Sequence, residues 1–545
     1  MHFPTFDFIV VGAGTAGSIL ASRLAEDHSV RVLLIEQGLP NRSWTTRIPG
    51  AVREPFRSGS PYMRWYRSTP QRYLDGRIFE HPRGIGVGGT SLVNGMVYVR
   101  GHPFDYDGWE RDGATGWNYA AVLPYFKRVE TRWEGADPYR GGDGPVGVRR
   151  AATLDPLSEA FLRAGSEAGY PATDDINGRQ QEGFGRLDMN VDRGFRSSSS
   201  YAFLEKSGVP ANLHILTGAV CTRIIVETGT ATAVELSVHG RKEKINAARE
   251  IIIAAGAIGS PHLLMLSGIG PADNLKKVGV KPVHDLPGVG KNLQDHLELD
   301  LQWETCRGVS LNELLKTRHI MKASLQWLLF RRGPAAFGQG KVGAFLRSAS
   351  SVSHADIQLM LFPVCFDGWK PMRGVNGFRV SAYPTRPTSR GDLRLHSSSP
   401  FDDPLIDPNY LSTALDLALL RRCYEIIINT VSQKAFDPFR GRRLPPLAEG
   451  GDLDAFISRH SSAGFHLCGT CKMGSDDDEL AVVDPNARVR GIKGLRVADG
   501  STMPSIVSGN TAAAIMMIGD RVADLVRGRS LPSSELPKTN FGHRH

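Results

Sequence analysis

The chain has 545 residues, 41% hydrophobic and 22% charged, with a formal net charge of +9. It is too long for one compact core and too apolar for a disordered or fibrous protein, so two or more folded domains are expected. The positive balance would suit nucleic acid or a membrane surface. No dense Lys/Arg block or RNP-like motif accompanies it, so nucleic-acid binding is not read, and a basic solubilising surface suffices.

The first element is a buried strand over Phe8–Val11, short, apolar and rich in β-branched residues. Gly12, Gly14 and Gly17 follow in G-x-G-x-x-G spacing, and a helix is predicted from about Ala16 to Ala25. In such a unit one glycine makes the turn, one admits a pyrophosphate and one lets helix pack on strand. The helix N-terminus then offers N–H groups to the phosphates. A second apolar strand, Val32–Ile35, ends at Glu36, 36 − 12 = 24 positions after the first glycine and near the spacing of a ribose-binding acid. A lone glycine motif would be weak; strand, glycines, helix, strand and acid in order specify a dinucleotide-binding unit.

Residues 41–80 read as a loop-rich, aromatic excursion over the sheet. The run His81–Gly95 places four glycines between Gly84 and Gly89, too many for regular structure. Either its N–H groups form an anion-binding nest or it is a surface loop; Ile85, Val87, Leu92 and Val93 weigh against the second. A helix is predicted at 156–169. His214–Leu216, Cys221–Val226 and Ala233–Val238 read as a β-meander. Glu250–Ala255 is a buried strand leading to a helix with Pro261 in its first turn and Gly268 at its stop. A helix is expected over Leu415–Thr430, a strand over Leu495–Asp499, and a helix over Thr511–Val526 with Ile515, Ile518, Val522 and Leu525 as its apolar stripe. From Gly528 the tail reads as polar and unstructured.

Six cysteines are sparse, which argues against a disulfide scaffold and for a reducing, cytoplasmic location. No stretch reads as a signal peptide or a membrane span, so the chain is expected to be soluble or at most peripheral on the inner face of a membrane. Cys468-Gly-Thr-Cys471 has C-x-x-C spacing. With no second pair and no thioredoxin-like context, structural thiols are favoured over a redox centre, and no metal site is read. No G-x-S-x-G elbow supports a hydrolase.

In this order the pieces resemble the glucose–methanol–choline (GMC) family of flavoprotein oxidoreductases, over about Asp7–Val526. The resemblance rests on the loop Arg83–Asn94, the segment Gly256–Gly270, and the motifs His466–Gly474 and Asp499–Thr511. Asn292–Glu298 draws it toward the choline dehydrogenases. The resemblance implies an α/β fold: a Rossmann-like FAD-binding domain from 1–155, 201–297 and 476–528, and an α+β substrate domain on an antiparallel sheet from 156–200 and 298–475. The remainder, 529–545, is a polar tail.

It further implies FAD held by Gly12, Gly14, Gly17, Glu36, Arg83, Gly88, Gly89, Thr90, Asn94 and Asp499. Some relatives attach FAD through a histidine before the asparagine of the glycine loop; here that position is Val93, so a non-covalent flavin is expected. The family's catalytic histidine falls on His466 and its partner on Asn510. Taken alone, one of sixteen histidines is more often a surface or satisfied core residue; in the family's chemistry it would be the general base for a primary alcohol. Asn510 would hold the substrate oxygen. Glu298 and Phe465 would face a trimethylammonium group, as in choline oxidation, through charge and cation–π attraction. Glu298 as a junction ion pair, and aliphatic, aromatic or polyether alcohols as substrates, stay open, as does oxygen or a quinone as acceptor. An NAD(P)-dependent reductase is a distant alternative. A non-catalytic flavoprotein is a third reading.

Overall fold

The computed structural model describes residues 4–314, 317–368, 370–445 and 451–535. Two seven-stranded sheets organise it. In the first, Leu213–Thr217, Val32–Glu36, Phe6–Val11 and the end of Arg241–Ile253 lie side by side in parallel, and Leu495–Val497 continues the parallel set beyond Ile251–Ile253. The central runs Phe8–Val11, Val32–Ile35 and Ile251–Ile253 are unbroken apolar residues because both faces are covered, whereas the edge strand Leu213–Thr217 carries the exposed His214. On one face the helix Thr15–Leu24 packs against the helix Ala512–Val526. A Cβ on Gly519 would lie 2.7 Å from the Ala16 carbonyl oxygen, so only glycine allows that close crossing.

The meander expected from residue 214 onward starts one strand later. Leu213–Thr217 joins the parallel edge, while Ala219–Glu227, Thr230–Val238 and Arg241–Ile253 form the antiparallel set. Turn chemistry explains the difference. Thr228-Gly229 and His239-Gly240 are two-residue turns with positive φ at both positions, the geometry that closes a hairpin. Only Gly218 separates 217 from 219, too little chain to reverse direction.

The helix after Ile253 also differs from expectation. It spans Gly256–Leu266, which puts Pro261 in its interior rather than its first turn. Asp499 holds its start, accepting from Gly256 N at 2.8 Å and Ser260 Oγ at 2.6 Å. The carbonyl that Pro261 cannot serve, Ala257 O, accepts instead from Thr470 Oγ1 at 2.7 Å. At the C-terminus the first residues of the tail are docked rather than loose. Leu531 N donates to Tyr125 Oη and Ser534 N to Ala120 O; residues 536–545 lie outside the described residues.

The second sheet is antiparallel, in the order Arg440–Leu444, Leu297–Thr305, Gly377–Pro384, Ile357–Phe362, Val342–Leu346 and Gly183–Arg186. Ser461–Ala463 pairs with the start of Leu297–Thr305. Alternation along that strand sends Leu297, Leu299, Leu301 and Trp303 into the core beneath the helix Ala414–Val431. Glu298, Asp300 and Gln302 therefore point to the opposite face.

Candidate active site

Where the two sheets meet, one cavity of about 530 Å³ is lined by Gly12, Gly14, Glu36, Arg83, Gly89, Thr90, Asn94 and Asp499, and also by Glu298, Phe465, His466 and Asn510. Gly17 and Gly88 stand behind its wall. A Cβ on Gly17 would sit 1.9 Å from Gly12 O, and one on Gly88 2.7 Å from Ser200 Oγ, so both positions serve close packing. At Gly14 the nearest atom to a Cβ is 4.0 Å away, which leaves its cavity side open.

Glu36 is buried, and burial pushes its carboxyl pKa up against the pull of three N–H donors. Oε1 accepts from Gly38 N and Gly86 N at 2.8 and 3.0 Å, and Oε2 from Ala13 N at 3.0 Å. A carboxylate has about four acceptor positions, so one remains on Oε2 for a ribose hydroxyl. The glycine loop is not an anion nest. The N–H groups of Gly84 to Gly89 are taken by Thr90 Oγ1, Tyr62 O, Glu36, Leu39 O, Ala13 O and Gly86 O. The loop is shaped by those bonds. Arg196, buried and with its pKa pushed down to about 9 by burial alone, ties the loop's end by donating to Asn94 O and Oδ1 at 2.7 and 2.8 Å.

The donors left for a cofactor lie elsewhere. Gly14, Thr15 and Ala16 line the cavity at one helix N-terminus, and Thr511 and Ala512 at another. Both ends present positive dipole to an anionic ligand. Open backbone at Gly14, two helix N-termini and one free carboxylate position fit a dinucleotide with a pyrophosphate.

Beside these donors runs a chain of side chains. His296 Nε2 lies 2.9 Å from the Thr385 carbonyl oxygen, which can only accept, so Nε2 carries the proton. Burial pushes the His296 pKa down to about 4, so the ring is neutral and its Nδ1 is bare. His466 Nδ1 lies 2.9 Å from that atom and must donate to it. His466 is itself held well below its ordinary pKa, by burial first and then by His296 and Arg83. Its Nε2 therefore presents a lone pair, 3.2 Å from Asn510 Nδ2. Gln358 Nε2 donates to Asn510 Oδ1 at 3.3 Å and Tyr383 Oη to Gln358 Oε1 at 2.5 Å, which fixes the Asn510 amide with its donor toward His466.

The backbone is anchored as firmly. His466 N donates to Asp295 Oδ1 at 2.6 Å, and Tyr410 Oη to Asp295 Oδ2 at 2.5 Å. Phe465 has φ 64°, a left-handed conformation costly for a non-glycine residue, and its carbonyl accepts from Arg83 Nη1 at 2.6 Å. Across the cavity, burial and then Asp300 push the Glu298 pKa up to about 8. The wall there also carries Arg379, paired with Asp300 at 3.4 Å, and Arg53, stacked 3.5 Å from the Phe366 ring centroid.

Sequence reasoning passed over His296, Gln358, Tyr383 and Arg196. His296 sits in the quoted run Asn292–Glu298, two residues before the glutamate chosen from it, so a signal was present. Gln358 and Tyr383 are cross-strand partners, a relation set by register alone. All six cysteines are free; Cys468 and Cys471 are buried with thiol pKa values raised by burial, as inert structural thiols should be.

Fold and site together define a flavin-dependent oxidoreductase, and the chain belongs to the GMC oxidoreductase family: its N- and C-terminal profiles match residues 6–298 and 387–519. The chain is 42% identical to the oxygen-dependent choline dehydrogenase of Vibrio vulnificus over 96% of its own length and 94% of that protein. Identity to the mitochondrial choline dehydrogenase of Homo sapiens is also 42%, over 96% and 90% of the two chains. Among solved structures, pyridoxine 4-oxidase from Mesorbium loti superposes with a TM-score of 0.87 at 30% identity, covering 97% of this chain and 100% of that one. Family membership and these relatives support an FAD-dependent alcohol oxidoreductase.

Proposed function

We propose that this enzyme oxidises choline to its aldehyde with His466 as general base. The observation that carries the reading is the bare Nε2 of His466, held beside Asn510 in the cavity that also contains Glu298. The alcohol proton passes to that Nε2, and Asn510 Nδ2 steadies the oxygen as negative charge grows on it. FAD, when bound, would supply the oxidising power, as acceptor of a hydride. Gly14, Glu36, Asn94 and the two helix N-termini would hold it, without a covalent link because Val93 offers no nucleophile. Glu298 and Phe465 would receive the trimethylammonium group.

In this reading the first sheet and its helices form the FAD-binding part and the second sheet the substrate part. Oxygen or a quinone takes the electrons onward. The free thiols accord with a cytoplasmic enzyme. Among the described residues no helix is long and apolar enough to cross a membrane; contact with a membrane would be peripheral.

A second reading has its own support. With Glu298 protonated up to about pH 8 and Arg53 and Arg379 in the wall, the cavity at neutral pH is not anionic, which favours an uncharged aliphatic, aromatic or polyether alcohol. Anaerobic flavin reduction across a panel of alcohols decides. Choline reducing the flavin faster than 3,3-dimethylbutanol, its uncharged shape analogue, supports the first reading, and the reverse order the second.

A further inference from the structure

The helix Thr317–Phe330 is seated on the protein by a narrow stripe. Trp327 is buried, donates from Nε1 to Gly194 O at 2.6 Å, and packs edge-on against Phe195 and Trp44. The opposite side carries Met321, Leu325, Leu328 and Leu329, spaced i, i+4, i+7 and i+8 as one continuous stripe. These four are 57–67% exposed, and Phe330 and Trp44 beside them are 66% and 58% exposed. Water is an unfavourable neighbour for so much adjoining apolar surface, and such a patch marks a docking site.

Charge identifies the occupant. From Leu314 to Ala355 the sequence holds seven Lys or Arg and no Asp or Glu. Arg318 and Lys322 lie along the edge of the apolar stripe, and exposed Arg332 follows the helix end. An apolar stripe edged by basic residues, with a tryptophan at its margin, is the pattern of a helix lying in a membrane interface. Lys341 and Arg347 are taken up by Asp155 and Glu182, so the basic groups that serve the apolar stripe are Arg318, Lys322 and Arg332, which complement an anionic bilayer.

We propose that the face Met321–Leu325–Leu328–Leu329 docks this enzyme onto an anionic lipid bilayer, with the stripe entering the headgroup–acyl boundary and Arg318, Lys322 and Arg332 meeting lipid phosphates. This deepens the peripheral-membrane part of the reading above by naming the surface that makes the contact. The surface is also joined to the active-site cavity. The helix runs into Pro334–Ala336, which packs on Pro49–Ala51, and the residues just beyond, Gln339 and Gly340 on one segment and Val52 and Arg53 on the other, line the cavity. A docked enzyme thus holds its cavity wall within a few residues of the leaflet, where apolar electron acceptors dissolve.

The test is co-sedimentation of the full-length holoenzyme with vesicles of phosphatidylcholine, with and without phosphatidylglycerol, in the absence of alcohol. The wild type is expected to bind the anionic vesicles at least about tenfold more tightly than the neutral ones. The triple variant Leu325→Gln, Leu328→Gln, Leu329→Gln should lose at least about tenfold of that binding. Its melting temperature, FAD content and turnover with a soluble dye should be unchanged, because these side chains face solvent. Arg318→Gln with Lys322→Gln should narrow the difference between the two vesicle types. Wild type left in the supernatant with both vesicles, or a triple variant that binds as well as wild type, overturns the proposal. So does a wild-type dimer that ignores vesicles and dissociates in the triple variant, which would assign the face to a second copy of the chain. Vesicle binding is read without substrate, so failure of the alcohol reading would leave this result standing.

Discussion

His296 and His466 meet through their Nδ1 atoms at 2.9 Å, and a single proton serves both. Because the Thr385 carbonyl fixes the other end of His296, that proton belongs to His466, and the His466 lone pair is turned to Nε2 and the cavity. A buried ring has thus been set in the tautomer a base requires by a carbonyl two residues removed along the hydrogen-bond chain.

Replacing His296 with Ala removes that control. Flavin reduction should slow by about 10–100-fold, the usual cost of losing a group that orients a catalytic one. His466 is held low chiefly by burial, and the space left by His296 admits water beside its ring, so that pKa should rise. The base must be neutral to act, and the acid limb of the rate profile should therefore move to higher pH. A slower enzyme with an unmoved acid limb would reduce His296 to a packing role.

On the role proposed for Glu298, choline binding depends on pH. A bound trimethylammonium group favours the carboxylate, whereas the free site keeps its proton up to about pH 8. Below that value choline must displace a proton, so kcat/KM for choline should rise as pH approaches about 8 and then level. The neutral 3,3-dimethylbutanol should show no matching rise. Above pH 8, Glu298→Gln should cost choline ~1–3 kcal/mol, about 5–150-fold, and the neutral alcohol little. Equal losses on both substrates would assign Glu298 a structural part.

Two glycines of the first loop should answer differently to the same change. A methyl at Gly17 meets Gly12 O at 1.9 Å, so Gly17→Ala should cost about 3 kcal/mol or more and give little folded protein. A methyl at Gly14 has room, 4.0 Å from its nearest atom, and projects toward the cavity. Gly14→Ala should fold but purify with less FAD. Circular dichroism and the flavin-to-protein absorbance ratio separate the two cases, and a well-folded, fully yellow Gly17→Ala would refute the packing argument.

These contrasts show which parts were legible beforehand. Gly12, Gly14, Gly17 and Glu36 belong to a local device whose spacing dictates its geometry, so the strand–helix–strand unit could be read in order. Glu298 and Asn510 were reached through resemblance, because nothing within a few residues of either announces a cavity. The links that tie His466 and Asn510 to Thr385, His296, Gln358 and Tyr383 were out of reach, since they depend on strand register and on segments distant in sequence converging. Pro261 misled for a related reason: a helix interior normally rejects proline, and the hydroxyl that makes it tolerable here comes from Thr470, more than two hundred residues away.

Val93 leads to a simple expectation. Acid precipitation should release FAD into the supernatant, since a valine cannot form a histidyl link. Flavin retained in the washed pellet would show a covalent attachment at some other side chain.

The central claim is that His466 takes the alcohol proton, and anaerobic stopped-flow reduction of the flavin in His466→Ala tests it most directly. The account predicts a rate about 10²–10⁴-fold below wild type with choline, at unchanged FAD content. A variant that reduces its flavin within about threefold of wild type, far short of a general-base contribution, would contradict it.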